Sequence, residues 1–202
     1  VGYHAMARAG GTPDASVTEL PEEAQAKGMD LVYLQNALTA PQGVAVMRNS
    51  SNTFWKYGFT VPRNAGKYLP SLNSRVELNG TAALGNISHW VVDVNSASVF
   101  ASVGNKLYVY REAGGVDAWS DLTFLDADGE EISVTFNDPI TLLFSEDFRT
   151  PYNNCIFVIT YSETNGGTMY AFRSRGGEPR EVTLVKKIEG LGNVKSMSYL
   201  GY

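Results

Sequence analysis

The 202-residue chain is poor in the residues that usually advertise chemistry. It holds one cysteine, Cys155, so no disulfide closes within it, and two histidines, His4 and His89, neither with a second His or Cys at metal-ligand spacing. Cys155 lies in the apolar run C-I-F-V-I-T-Y with no histidine near it in sequence, which assigns it to a buried, inert thiol rather than a nucleophile. Basic residues are few and scattered: 16 Lys and Arg stand against 21 Asp and Glu, a net charge of −5. That balance excludes the basic stripe with which nucleic-acid-binding proteins neutralise phosphates. No apolar run approaches the roughly 18 residues of a membrane span, and the opening V-G-Y-H-A-M-A-R-A-G-G has neither region of a secretion signal. Without an initiator methionine the chain reads as a processed or excised piece, in which a removed export signal would leave no trace. P-loop, dinucleotide-binding and G-x-S-x-G signatures are missing too, so no cofactor is expected.

What is present is β pattern. Ten short runs rich in β-branched and aromatic residues follow one another, from D-L-V-Y-L-Q at Asp30 through K-L-Y-V-Y-R at Lys106 to E-V-T-L-V-K-K-I at Glu181, with Gly, Asn, Asp, Ser or Pro between most of them. One segment reads as helix: Ser16 to Lys27, with a Ser16/Glu19 capping box and Gly28 as its stop. At 44% hydrophobic, a chain of this length buries a sizeable core, and the succession of short strands predicts an all-β sandwich, barrel or propeller.

Internal repetition selects among these. L-Y-V-Y-R-E-A-G-G at Leu107 returns as M-Y-A-F-R-S-R-G-G at Met169, an offset of 62, and Leu84-Gly85-Asn86-Ile87 returns as Leu191-Gly192-Asn193-Val194, an offset of 107. Opening strands near Leu31, His89, Ile140 and Lys195 are spaced by 58, 51 and 55 residues. Each of the first three is followed by a second strand, a turn and an aromatic third strand, and S-R-V-E-L-N at Ser74 and E-V-T-L-V-K-K at Glu181 supply fourth strands. The pattern predicts a β-propeller-like fold of about three to four four-stranded blades. Its blades span residues 29–80, 81–136 and 137–190, with 191–202 as the opening strand of a further blade and 1–28 as a partial blade strand plus the short helix. Either the terminal strands share one blade and close a small ring, or the chain is a fragment of a larger propeller; the terminal blade lacks a legible second strand, which favours the fragment.

Units such as N-K-L-Y-V-Y-R-E and I-T-L-L-F-S-E-D, with the ending I-E-G-L-G-N-V-K-S-M-S-Y, resemble the C-terminal propeller-like region of bacterial PKD-like family lipoproteins over roughly residues 29–202. The resemblance implies an exported, periplasmic or outer-surface protein connected with polysaccharide use. It carries over no functional residue, and this chain has neither the lipid-bearing cysteine nor a legible PKD-like sandwich.

Candidate chemistry is confined to turns. Asp117-Ala118-Trp119-Ser120-Asp121 sets an indole between two acids, an arrangement in which the ring stacks on a sugar and the carboxylates accept its hydroxyls; the alternative is a Trp packed between adjacent blades. Asp117, Trp119 and Asp121 are therefore the expected binding residues. Asp126-Ala127-Asp128-Gly129-Glu130-Glu131 resembles half of a calcium loop, but Asp-Gly between two strand-like runs is a hairpin signal. Glu146 and Asp147 have no identifiable second carboxylate for glycoside hydrolysis. Sequons at Asn49, Asn79 and Asn86 matter only in a eukaryotic secretory setting. The function expected is a non-catalytic binding or scaffold module for a glycan or a protein partner, with neither metal nor catalytic residues. The alternative is part of a propeller glycosidase or lyase whose catalytic groups lie partly outside this chain.

Overall fold

The computed structural model describes residues 2–4, 17–19, 26–34, 42–49, 53–60, 63–64, 67–68, 71–93, 98–111, 118–146, 155–175, 178 and 180–198. They fall in two compact units, residues 1–78 and 79–202, and both are all-β apart from one four-residue helix among the described residues. No helix among them is long and apolar enough to cross a membrane.

In the first unit β1 (Gly2–His4) pairs antiparallel with β2 (Val17–Glu19). Strands β3 (Ala26–Leu34), β4 (Gln42–Asn49) and β5 (Phe54–Thr60) then form an antiparallel meander. A small hairpin of β6 (Arg63–Asn64) and β7 (Lys67–Tyr68) precedes β8 (Ser71–Glu77), which completes the sheet beside β5. Val46, Phe54 and Leu78 are buried, and the Arg48 guanidinium lies 5.0 Å over the Phe54 ring.

Among the described residues of the segment Ser16 to Lys27, where a helix is expected, none is helical. Val17–Glu19 is a strand against Gly2–His4, and Ala26 and Lys27 already belong to β3. A twelve-residue window containing Pro21 and the β-branched pair Val17-Thr18 is marginal as an isolated helix, and a strand partner outweighs it. Gly28, read as the helix stop, sits instead where the β3–β4 register shifts between Ala26 and Gly28, which is the place a strand glycine commonly takes.

The second unit opens with helix α1 (Thr81–Leu84) and a four-stranded antiparallel sheet of β9 (His89–Val92), β10 (Val99–Val103), β11 (Lys106–Arg111) and β12 (Ala118–Asp121). The chain then crosses to a six-stranded sheet. Its core is a second meander of β15 (Ile140–Glu146), β16 (Cys155–Ser162), β17 (Gly166–Ser174) and β18 (Glu181–Leu191). Strand β13 (Thr123–Leu125) joins it parallel to β18, and β14 (Glu131–Ile132) pairs with β13. These two added strands depart from the uniform four-strand unit expected. L-T-F-L is drawn to this edge because Phe124 packs on Phe172 at 5.1 Å and edge-on to Phe136 at 6.1 Å.

The expected opening strand near Lys195 is absent over the described part: Gly192 to Ser198 carry no strand, and residues 199–202 lie outside the described residues. Met197 of that stretch packs on the Cys155–Phe157–Ala171 cluster, while Lys195, Ser196 and Ser198 are exposed and contribute little β preference.

Repetition is visible in the side chains. The 62-residue offset places Leu107 and Val109 of β11 in register with Met169 and Ala171 of β17, and Tyr108 and Tyr110 with Tyr170 and Phe172. Both are third strands of their meanders, and side chains alternate across each. The Leu107–Val109 face, with Val91 and Phe100 on neighbouring strands, shares one core with the Tyr170–Phe172 face of the next sheet, with Leu143, Ile156 and Val158 beside it. Phe136 wedges between them, edge-on to Tyr170 at 5.0 Å and to Phe172 at 6.2 Å. Each of these buried side chains contributes up to about 1.5–3 kcal/mol, the larger values belonging to those that are fully buried, such as Phe100, Ile156 and Phe172. The remaining faces are covered as well: Val92, Val99 and Tyr110 on the first sheet and Phe157 and Ala171 on the second are buried. Apolar residues on both faces of a strand are the mark of a sheet covered on both sides.

Close backbone packing singles out one glycine. A Cβ on Gly167 would lie 2.6 Å from the Gly192 carbonyl oxygen and 3.0 Å from that of Leu191, whereas Gly192 has open space around it and an ordinary backbone. Gly167→Ala is expected to cost roughly 1–3 kcal/mol, and Gly192→Ala to be near neutral. Urea unfolding midpoints of the two variants check this; equal midpoints would show that the β17–β18 contact yields.

Candidate functional site

Asp121 is the last residue of β12 and the last to pair with β11, opposite Tyr108. Beyond it Leu122 carries the chain across to β13, so β12 does not reach Lys106 and Leu107 at the start of β11. A cleft of about 330 Å³ opens at this seam. Leu107, Leu122, Phe124, Val134 and Phe136 give it an apolar floor, and Asn105, Lys106, Asp121 and Thr135 a polar rim. The walls are fixed by one side-chain and one backbone hydrogen bond: the Asn105 amide Nδ2 donates to the Phe136 carbonyl at 2.9 Å, and the Ile140 N–H donates to the Gly104 carbonyl at 2.9 Å. Gly104 takes φ +59° in the two-residue β10–β11 turn, a conformation that L side chains rarely adopt.

Of the expected binding residues, Asp117 lies outside the described residues, and the other two are separated in role. Trp119 is not on a turn. It occupies the fourth strand of its sheet, half-buried, opposite Tyr110. Its indole meets the Tyr110 ring edge-on at 5.3 Å, and its Nε1–H donates to Thr81 Oγ1 at 3.2 Å. Tyr110 in turn accepts the Asn79 backbone N–H on its hydroxyl at 3.2 Å. The ring is thus part of the packing that ties α1 to the sheet, while Asp121 is exposed at the cleft rim. The cleft is built from sequence-distant pieces, residues 105–107, 121–124 and 134–136. Their only sequence signal is the break between S-D and L-T-F-L, which marks where the chain changes sheets.

The other candidates resolve simply. Asp126 to Glu131 is a hairpin: Asp126 Oδ1 accepts the backbone N–H groups of Asp128 and Glu130 at 2.9 and 3.0 Å, and Gly129 takes φ +87° at its exit. Among the described residues no three His, Cys, Asp or Glu side chains converge as metal ligands. Glu146 ends β15, and Asp147 lies outside the described residues. His89 is a half-buried strand residue paired with Ser102, and His4 is in β1.

Cys155 is fully buried against Phe157 and Ala171. Burial pushes its thiol up to about 11, with nearby Asp93 adding to the rise and Arg173 opposing it. A thiol in this state is neither nucleophile nor metal ligand near neutral pH.

Comparison with family models, with curated proteins and with solved structures returns no match for this chain.

Two expectations follow. Trp119→Ala should lower stability by roughly 1–3 kcal/mol, below the cost of truncating a fully buried aromatic, and Thr81→Ala by about 1 kcal/mol; thermal melts read both, and an unshifted Trp119→Ala melt would return the indole to a ligand-facing role. For Cys155 the folded thiol holds its proton more tightly than the unfolded one. The stability it confers is complete below the unfolded value of 9.0 and is lost as pH rises toward about 11. Cys155→Ala should flatten that part of the alkaline stability profile, and iodoacetamide should alkylate the native chain far more slowly than the urea-unfolded one.

Proposed function

We propose that this chain is a non-catalytic binding module of an exported bacterial protein, built on a propeller-type succession of sheets, each with a four-stranded meander at its core, and engaging a glycan or a protein partner through the seams and loops between sheets. The observation that carries the reading is the head-to-tail contact of unlike faces: the Leu107–Val109 face of one sheet meets the Tyr170–Phe172 face of the next, although the two third strands are repeats of each other. A contact of that kind propagates from sheet to sheet and closes as a ring if the rotation allows. Propeller blades pack in this way. The resemblance of the strand grammar to the propeller-like region of PKD-like family lipoproteins supports the export and the link to polysaccharides.

A binding role rather than a hydrolytic one is supported by the chemistry of the seam. The cleft rim offers one carboxylate, Asp121, and one ammonium, Lys106. Glycoside hydrolysis needs two carboxyl groups facing one bond, and its usual mechanisms have no use for a lone acid beside an ammonium.

Glycan-array screening of the purified chain, coupled to a reducing-end assay on every glycan retained, tests the reading. Retention that is weak, rapidly exchanging and without turnover is expected. Hydrolysis or eliminative cleavage of any retained glycan would replace the binding module with the glycosidase or lyase alternative.

A further inference from the structure

We infer that the seam cleft at Asp121 is the ligand site and that it takes a single uncharged pyranose ring, the end or a branch of a neutral saccharide. The inference rests on the binding-module reading and gives it a place and a ligand class.

Size comes first. About 330 Å³ is at the low end of ligand clefts, room for one ring rather than a chain of them. The floor comes next. Leu122, Phe124 and Val134 are half-buried, so their apolar surface stays open to a partner, and the ring C–H face of a pyranose is the complementary surface. The rim then sets the charge. Lys106 and Asp121 are both exposed, one of each sign, with the Thr135 hydroxyl alongside. An anion would gain Lys106 and be repelled by Asp121, and a cation the reverse. A neutral ligand that both donates and accepts satisfies each: its hydroxyls donate to the Asp121 carboxylate and accept from the Lys106 ammonium, and charge-assisted bonds of this kind are the stronger class.

Rigidity also matters. The turn that presents Lys106 is held at two points, Asn105 Nδ2 to the Phe136 carbonyl and Gly104 O from the Ile140 N–H, so the rim is set before a ligand arrives and little ordering cost opposes binding. Trp119 is outside this site, its indole committed to Tyr110 and Thr81.

The test is an amide-resolved NMR titration of the whole chain with the methyl glycosides of glucose, galactose, mannose and N-acetylglucosamine at up to tens of millimolar, with glucuronic acid and glucosamine as charged controls. Fast-exchange shifts are expected at Lys106, Leu107, Leu122, Phe124 and Thr135 with at least one neutral glycoside. Asp121→Ala should weaken that binding about tenfold, the loss of one charge-assisted hydrogen bond. Trp119→Phe should leave it within about twofold. Asp121 is exposed, so its variant keeps the fold, and an unchanged spectrum away from the cleft verifies this. Binding with shifts elsewhere, or unaffected by Asp121→Ala, would overturn the site while leaving a glycan-binding module standing. Preference for glucuronic acid or glucosamine would overturn the neutral class. No shift with any of the six sugars would overturn the saccharide assignment and leave a protein partner for the module.

Discussion

The second unit depends on one contact, the apolar core between two repeated sheets in which opposite faces of equivalent strands meet. Val91, Phe100, Leu107 and Val109 stand on one side, and Leu143, Ile156, Val158, Tyr170 and Phe172 on the other, with Phe136 inserted among the aromatics. Neither sheet has a wet face to spare, so neither is stable by itself, and each needs a neighbour. A pairing of like faces would stop at two sheets. Pairing of unlike faces leaves the far side of each sheet with the same requirement, which is the physical ground for the propeller-type reading proposed above.

The seam follows from the same constraint. Two sheets packed face to face must be joined by a connection that leaves one and enters the other, and here the exchange happens within Asp121 to Thr123, where β12 ends and β13 begins. Because β13 is recruited by Phe124 to run parallel with β18, β12 is cut short and the start of β11 is left without it. The cleft is therefore a consequence of how the core is assembled rather than an addition to it. Its floor is continuous with that core, since Leu107 and Phe136 belong to both.

Much of this was legible in the sequence, for identifiable reasons. Strands that are apolar on both faces read as dense runs of β-branched and aromatic residues, and K-L-Y-V-Y-R, C-I-F-V-I-T-Y and T-M-Y-A-F-R all lie in strands β11, β16 and β17. Short-range turn chemistry was legible too, as the Asp126 hairpin demonstrates, because an Asx turn is written within five residues. What failed depended on distant partners. Val17–Glu19 became a strand because Gly2–His4 is there to pair with it, and β13 became a parallel edge strand because of an aromatic cluster assembled from residues 124, 136 and 172. The seam cleft, built from three separated segments, had no local pattern by which to find it.

Trp119 shows how repetition separates structural residues from functional ones. In the first sheet Trp119 stands opposite Tyr110, and in the second Leu184 stands opposite Phe172, the repeat counterpart of Tyr110. Both residues cover the aromatic side chain of the third strand from the fourth, Leu184 against the shared core and Trp119 edge-on to Tyr110. Where both register counterparts cover the third-strand aromatic with apolar surface, the position answers to packing, whatever its side chain suggests in isolation. Asp121 has a counterpart by register, Lys187 opposite Tyr170, but the two differ in charge and in what they do: Lys187 lies over the Tyr170 ring at 5.6 Å, whereas Asp121 lines the cleft rim. It stands at the point where the first sheet ends and its successor continues, with β18 running on to Leu191 while β12 stops. Packing makes no demand on an exposed carboxylate there, which is why the proposed ligand contact falls on Asp121 and not on Trp119.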